Sequence, residues 1–455
     1  MRSKTAILFV TTLSSFLTPF MGSAINIALP AIGLELEMNA IELGWVSNSY
    51  LLAAAVFLLP FGRLSDIYGR KIFFIGGIIV FSIASILSAV AFSSSLLLIS
   101  RVLNGAGGAL IYATAIAILT SSYPKHERGK VLGINVAAVY LGLSMGPTIG
   151  GFLIMFFGWR SIFVLTAFLS LIIIIPIAMR NLNTETKTVN PQKFDLTGSL
   201  IYGISLALIV YSFPSLPSAK GIILLIIGLA GFTAFVIFEG KIDNPLIAVG
   251  QFRKNHIFIF SNIAAFINYA STFALVFLLS LYLQQVLGLP PHQAGLILMA
   301  QPITMTIFSP LAGKLSDRIE PSIVASVGMG ITVIGLFAFA TLDKSDGIWF
   351  IVSMLIVLGL GFALFSSPNT NAVMSSVKQN EYGVASSILG TMRLTGQTIS
   401  MGISMMIFAL MMTETGKSIS NTDGLLSGIK ISFLVFALLS IAGVFFSLKR
   451  GKMRS

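Results

Sequence analysis

The chain has 455 residues, 56 % of them hydrophobic and only 10 % charged, with a net charge of +12. A soluble domain carries about 25 % charged residues, so this composition, with a mean hydropathy of +0.95, excludes a water-soluble globular fold and makes the bilayer the solvent. Cysteine is absent, which excludes disulfides, thiolate metal sites and cysteine nucleophiles.

Crossing a bilayer takes about 20 apolar residues per helix. On that criterion the sequence predicts fourteen spanning helices, over Thr5–Leu34, Trp45–Arg63, Ile72–Phe92, Ser95–Ser122, Val131–Phe157, Arg160–Met179, Leu196–Phe213, Gly221–Phe238, Ile257–Val286, Gln293–Ser316, Ser322–Thr341, Gly347–Val373, Val384–Met412 and Leu425–Leu448. Pro30, Pro60, Pro124, Pro245 and Pro321 lie at the ends of these runs, where a missing N–H costs little. The first run is longer than a signal-peptide core and reads as a retained helix.

Lys and Arg set the orientation. One set of faces carries 21 of them and the opposite set 5, with Arg101 and Arg393 inside helices. Basic faces stay cytoplasmic, which puts both termini on the cytoplasmic side of a cell membrane. Trp45, Trp159 and Trp349 all fall at the opposite interface, where indole rings are favoured. Topology thereby accounts for the positive charge without nucleic acid as a partner. His126, His256 and His292 sit near the ends of runs, so neither a metal nor any other cofactor is expected.

The fold class expected is all-α integral membrane. Gly62-Arg-Leu-Ser-Asp-Ile-Tyr-Gly-Arg-Lys71 is shortened and repeated as Gly313-Lys-Leu-Ser-Asp-Arg318, 251 residues later, and Glu127 and Glu381 stand in similar stretches 254 residues apart. That offset is eight helices long. Two six-helix halves with an inserted pair account for it, with residues 1–185 as the first half, 186–245 as the insert and 246–455 as the second half. Paired membrane halves around a central site are the usual build of secondary transporters.

Three motifs stand in the first half. A loop motif reads Gly62-x-Leu64-x-Asp66-x-x-Gly69-Arg70-Lys71, a fourth-helix motif Arg101-Val-Leu-Asn-Gly105-Ala-Gly107-Gly-Ala109, and a fifth-helix motif Gly142-x-x-x-Gly146-Pro147-x-x-Gly150-Gly151. The loop glycines suit a sharp turn. A carboxylate is unfavourable at the C-terminus of its own helix, so Asp66 is expected to face the N-terminus of another. Gly142, Gly146 and Gly150 share a helix face that admits close packing, and Pro147 frees a carbonyl and bends the helix. A buried arginine faces a cavity or a partner, or reaches the headgroups along its stem; both readings stay open for Arg101 and Arg393.

With these motifs the chain resembles the major facilitator superfamily, and within it the fourteen-helix drug/proton antiporter group that includes quaternary-ammonium and tetracycline exporters. The resemblance implies the major facilitator fold, a monomer among membrane lipid, and export of an amphiphilic small molecule in exchange for protons. It implies a gate in which Asp66 meets the helix beginning near Gly383 and Arg70 meets Glu127, with Gly62, Gly69, Lys71, Asp317 and Glu381 in the two copies. It also implies that Arg101 takes part in proton coupling and that the fifth-helix stripe packs on the second half.

One departure bears on charge. Related exporters carry aspartate just before the Asn26-Ile-Ala-Leu-Pro30 stretch, and here that position is Met21. Every acidic residue lies at or near a helix end or in a loop, leaving Asp66, Glu35, Glu37 and Glu42 as proton carriers. A buried cation without an anion is expensive, so neutral, lipophilic or anionic solutes fit better than permanent cations.

In this fold the first and fourth helices of each half face the cavity. Their polar or aromatic members Asn26, Tyr112, Asn262, Tyr269 and Asn369, with Gln301 on helix ten, are the substrate-binding candidates. Amides and phenols in an apolar wall suit amphiphilic solutes, although each also serves as a helix–helix hydrogen bond. A proton-independent facilitator or importer, and a non-transporting sensor or scaffold, are the alternative functions. No phosphate loop, metal cluster or nucleophile constellation points to an enzyme.

Overall fold

The structure, a computed structural model, describes residues 2–179, 194–242, 245–246, 255–316, 318–378, 382–415 and 422–451. Each expected span becomes one helical rod. The first half comprises α1 (Arg2–Glu35), α2 (Ala40–Tyr68), α3 (Arg70–Ala89), α4 (Ser94–Ser122), α5 (Lys125–Phe157) and α6 (Arg160–Met179). The pair α7 (Leu196–Ser212) and α8 (Ala219–Glu239) follows. The second half comprises α9 (His256–Val286), α10 (Pro291–Ser316), α11 (Pro321–Ala340), α12 (Ile348–Ser375), α13 (Tyr382–Thr415) and α14 (Thr422–Lys449). Among the described residues there is no strand.

The helix ends are built by local chemistry. Asn39 accepts from the Ile41 and Glu42 backbone N–H groups while Glu42 returns a bond to the Asn39 N–H, a capping box at the start of α2. Side chains of Ser93, Asp195, Ser218 and Asn255 cap α4, α7, α8 and α9. Such caps satisfy backbone donors that lipid would otherwise leave orphaned.

Two rods are interrupted. α9 breaks at Phe273 and Ala274, where the Ala274 N–H donates to Ser400 Oγ on α13 at 3.1 Å, and ends in a π-helical turn over Tyr282–Val286. α10 breaks at Met299. Irregular backbone at membrane depth survives because another helix re-satisfies the freed groups.

The packing itself repeats. In the first half α1 packs on α5 and α6, α4 on α2 and α3, and α3 on α6; in the second half α9 packs on α13 and α14, α12 on α10 and α11, and α11 on α14. Every partnership recurs eight helices later. The halves then meet in a symmetric way, α2 against α13 and α5 against α10, with α1 crossing α9. The pair α7–α8 lies on the flank: the Tyr202 hydroxyl donates to the Ala55 carbonyl of α2 at 3.0 Å, and Phe213 fills the space beside Gly402 of α13.

The buried core runs through both halves and across their junction, from Phe20, Ile25 and Leu29 on α1 to Phe277, Leu281 and Phe408. The perimeter is apolar too. Ile222, Ile223, Ile226 and Ile227 of α8 are exposed, a surface that only lipid can cover.

Consecutive rods alternate in direction, so both termini lie at one end of the bundle, the terminal end, and the Glu35–Ala40 turn lies at the other, the far end.

Candidate functional site

The halves are sealed at the far end. Ser280 Oγ on α9 donates to the Asn26 carbonyl at 2.6 Å, and Gln284 Nε2 in the π-turn donates to the Ile27 carbonyl at 3.1 Å. Carbonyls of α1 thus accept bonds from the opposite half. The α5–α10 crossing is equally tight. A Cβ on Gly295 would lie 2.2 Å from the Pro147 carbonyl oxygen, and one on Gly151 would lie 2.7 Å from the Pro291 carbonyl oxygen. Thr148 Oγ1 donates to Met299 Sδ at 2.9 Å across the same crossing.

The fifth-helix stripe therefore divides. Gly142, Gly146 and Gly150, four residues apart, face α1 of their own half, where a Cβ would come within 2.4 Å of the Phe16 carbonyl, 2.6 Å of Ser23 Cβ and 3.1 Å of Ala24 Cβ respectively. Pro147 and Gly151 lie about 100° further round the helix and meet α10 of the second half. The resemblance suggested one contact with the second half; the helical period supplies two faces.

Below this seal, near mid-membrane, a polar cluster spans the junction. Arg393 on α13 donates from Nη2 to Thr370 Oγ1 on α12 at 2.7 Å, and its guanidinium carbon stands 5.6 Å from the centre of the Tyr269 ring on α9. The phenols of Tyr112 on α4 and Tyr140 on α5 are its further electrostatic neighbours, and Tyr140 lies beside Ser366 and Ser309. Two phenols thus come from the first half and one from the second. Tyr112 is 41 % exposed and lies against Gly390 of α13, at the junction of the halves. Phe362 packs edge-on against Tyr269 with centroids 5.4 Å apart, fixing that ring.

Arg101 has a different surrounding. It is 0 % exposed, donates from Nε to the Val46 carbonyl at 3.0 Å and from Nη1 to Met21 Sδ at 3.0 Å, and lies 4.6 Å from the centre of the Tyr50 ring. Its stem does not run to the headgroups. It ties α1, α2 and α4 together inside the first half, with the sulfur of Met21 where a counter-ion would sit.

The turn motif is built as its glycine requires at one position. Gly69 has φ +113°, joins α2 to α3, and donates its N–H to the Ser65 carbonyl at 3.0 Å. A Cβ on Gly62 would meet only Ala113 at 3.9 Å, an ordinary contact. Arg70 Nε pairs with Asp66 Oδ1 at 2.8 Å along the chain, while Glu127 stands in the first turn of α5 near Tyr123. Lys71 is half-buried in the first turn of α3. Asp317 and Glu381 lie outside the described residues.

The far-end acids have structural employment. Glu35 accepts from Trp159 Nε1 at 2.7 Å and Arg160 Nη1 at 2.5 Å, and Arg160 also donates to the Ala91 carbonyl at 2.8 Å. Together these bonds clamp the end of α1 to the start of α6. Glu42 belongs to the α2 cap.

Of the cavity candidates, Tyr112 and Tyr269 enter the Arg393 cluster, and the amide groups of Asn26, Asn262 and Asn369 donate to backbone carbonyls. Asn26 accepts from Ser47 Oγ at 2.9 Å and lends its own carbonyl to the seal. Asn262 Nδ2 donates to the Phe258 carbonyl one turn earlier. Gln301 is buried, and its carbonyl lies against Gly359 of α12. Asn369 Nδ2 donates to the Ser261 carbonyl while its Oδ1 accepts from Arg450 Nη1 at 3.0 Å.

Arg450 is the residue that sequence reasoning misplaced. It reads as a loop charge beside Lys449, yet it is 1 % exposed and also bonds Ser447 and Ser261. Tyr140, Thr370, Ser366 and Ser309 were missed because helices α5 and α10 were not counted as cavity helices and hydroxyls are common in every span. The one available signal was Tyr140 lying two residues before the fifth-helix motif.

A bundle of two repeated helical halves, joined at one end around a polar site, is the usual build of secondary transporters. The Major Facilitator Superfamily model matches residues 11–400 and 261–454, and the chain belongs to that family. It is a multi-pass membrane transporter and not an enzyme. Among curated relatives, the riboflavin transporter RibZ of Clostridioides difficile (strain 630) is 28 % identical over 459 residues, covering 99 % of each chain. The multidrug resistance protein Stp of Mycobacterium tuberculosis (strain CDC 1551 / Oshkosh) is 28 % identical over 427 residues, covering 91 % of this chain and 78 % of that one. Among solved structures, a bacterial homologue of the human lysosomal transporter Spinster, inward-facing and unoccupied, shares the fold with a TM-score of 0.70 at 16 % identity, covering 98 % of this chain and 97 % of that one.

Proposed function

We propose that the chain exports amphiphilic small molecules across the cell membrane by alternating access in exchange for protons, with both termini cytoplasmic and the far end outside. The observation that carries this reading is the Arg393 cluster: both halves wall it, and it lies on the terminal side of the far-end seal. A solute reaching the cluster from the terminal end leaves outward once the seal parts and the halves close below it. The similarity to a multidrug resistance protein supports the outward direction. The aromatic and hydroxyl wall supports an amphiphile, which needs apolar contact over most of its surface and a few oriented polar groups.

Proton-independent movement is the second reading. It is favoured by the absence, among the described residues, of any carboxylate paired with Arg101 or Arg393. Proteoliposomes carrying the purified protein and an imposed pH gradient separate the two. Antiport predicts accumulation of solute against its gradient, about tenfold per unit of pH for one proton exchanged per neutral solute, at 1.4 kcal/mol per factor of ten. Equilibration without accumulation supports the facilitator, and no solute movement above protein-free vesicles refutes transport of that solute.

A further inference from the structure

We propose that Arg393 is the substrate-recognition residue and that the transported class carries an anionic group on a planar aromatic body. The inference rests on the transporter reading above and names the chemistry of its site.

The position of the charge is the first argument. Arg393 lies inside the apolar span Val384–Met411 of α13, about 7 Å from its centre at 1.5 Å per residue, and so well within a hydrocarbon core about 30 Å thick. Intramembrane arginine is costly and is held by a partner or a water-filled cavity. Here it is bound by hydrogen bonds to the Thr370 and Tyr112 hydroxyls, and its Nε has no hydrogen-bond partner among the described residues. The contrast with Arg450 is direct. That arginine is more enclosed, 1 % exposed, and is spread over Ser447, Asn369 and Ser261, as a structural arginine is.

The neighbours are the second argument. Tyr269, Tyr112 and Tyr140 surround the guanidinium. The Tyr269 ring face and the Tyr112 hydroxyl hold the cation without neutralising it, which leaves the charge available to a ligand. They also offer hydroxyl donors and flat surfaces to whatever the guanidinium binds. Guanidinium takes carboxylate or phosphate through paired N–H donors, and the rings stack on an aromatic body. A cationic ligand meets a fixed positive charge in the same space.

The third argument is geometry across the junction. Tyr112 and Tyr140 belong to one half and Arg393 and Tyr269 to the other, so a ligand bridging them feels the movement of the halves. Differential binding of this kind is what allows a ligand to shift a conformational equilibrium.

Fluorescein and rhodamine 123 share a xanthene skeleton and carry opposite charge, which makes them suitable probes. Fluorescence polarisation on the purified full chain is expected to show fluorescein bound at least about tenfold more tightly than rhodamine 123, the scale of one charge-assisted contact. Arg393→Gln should weaken fluorescein about tenfold or more and leave rhodamine 123 unchanged or tighter, while Arg393→Lys should retain part of the fluorescein affinity. Tyr112→Phe, which keeps the ring, should weaken fluorescein by less than Arg393→Gln. Equal wild-type affinity for the two dyes, no fluorescein binding by wild type, or an Arg393→Gln protein that is monodisperse and binds fluorescein as wild type does, would each overturn the proposal. If Arg393→Gln aggregates, the Lys variant decides: fluorescein affinity no different from its rhodamine 123 affinity overturns the proposal, and retained selectivity supports it. Binding without transport in proteoliposomes leaves the anion site standing and removes the transporter reading of that solute.

Discussion

At the scale of the residue, two intramembrane arginines of similar appearance in the sequence do different work. Arg101 is enclosed, and its Nη1 touches Met21 Sδ at 3.0 Å with both side chains 0 % exposed. An aspartate oxygen sits the same number of bonds from the backbone as that sulfur. Met21→Asp therefore places a carboxylate on a guanidinium that already bears the cost of burial. We expect the variant to fold and to match or exceed the wild-type melting temperature, because a buried charge gains from a partner. The sequence tied the lack of an acid at this position to a poor fit for permanent cations, so a carboxylate here would be expected to recruit them. Enclosure removes that expectation: the ratio of rhodamine 123 to fluorescein affinity should stay within about twofold of wild type, well under the tenfold expected of a cavity charge. A melting temperature more than about 5 °C lower, of order 5 kcal/mol for a chain this large, or a switch to cation binding, would refute the enclosed pairing. Sequence could identify Arg101 and Arg393 as intramembrane, since hydropathy runs bracket both. It could not tell which is enclosed within one half and which faces the junction, because that depends on Met21, Val46 and Thr370, residues far away in the chain.

At the scale of the element, the α5–α10 crossing is set by glycine and by carbonyl oxygens that no side chain can displace cheaply. A Cβ on Gly295 would lie 2.2 Å from the Pro147 oxygen. Gly295→Ala must therefore push α10 away from α5, at a cost of about 1–3 kcal/mol typical of overpacking. That is enough to change the population of a sealed state about tenfold. We expect normal expression, reduced transport, and faster thiol labelling of a cysteine placed at position 148 than in the same cysteine variant with glycine at 295. Gly330→Ala, where nothing lies within 4 Å, should change neither. Equal labelling rates for the two alanine variants would show that the crossing tolerates the methyl group and is not a tight seal. The fifth-helix motif was legible in the sequence, but its division between α1 and α10 was not. Glycine spacing names a face of one helix, and the identity of the helix opposite is fixed by the fold.

At the scale of the whole molecule, hydropathy and the eight-helix offset were enough to read the architecture, because lipid admits only helices and closed barrels and apolar runs of about 20 residues have the length of helices. The Arg393 cluster was not legible for the complementary reason. It draws on α4, α5, α9, α12 and α13, and five segments so far apart leave no local pattern. What the two levels share is the junction between halves, where the seal must open if the cluster is to empty outward. The absence of native cysteine makes the direct measurement possible. Thr148 and Met299, in contact across the seal at 2.9 Å, are replaced by cysteine together, the purified protein is reconstituted, and fluorescein transport is followed before and after a short bifunctional methanethiosulfonate reagent. The account predicts that cross-linking lowers transport about tenfold or more relative to the same protein before treatment, in proportion to the fraction bridged, that reductant restores it, and that either single-cysteine protein is unaffected by the reagent. Undiminished transport by fully bridged protein would contradict a mechanism in which these halves part at the far end.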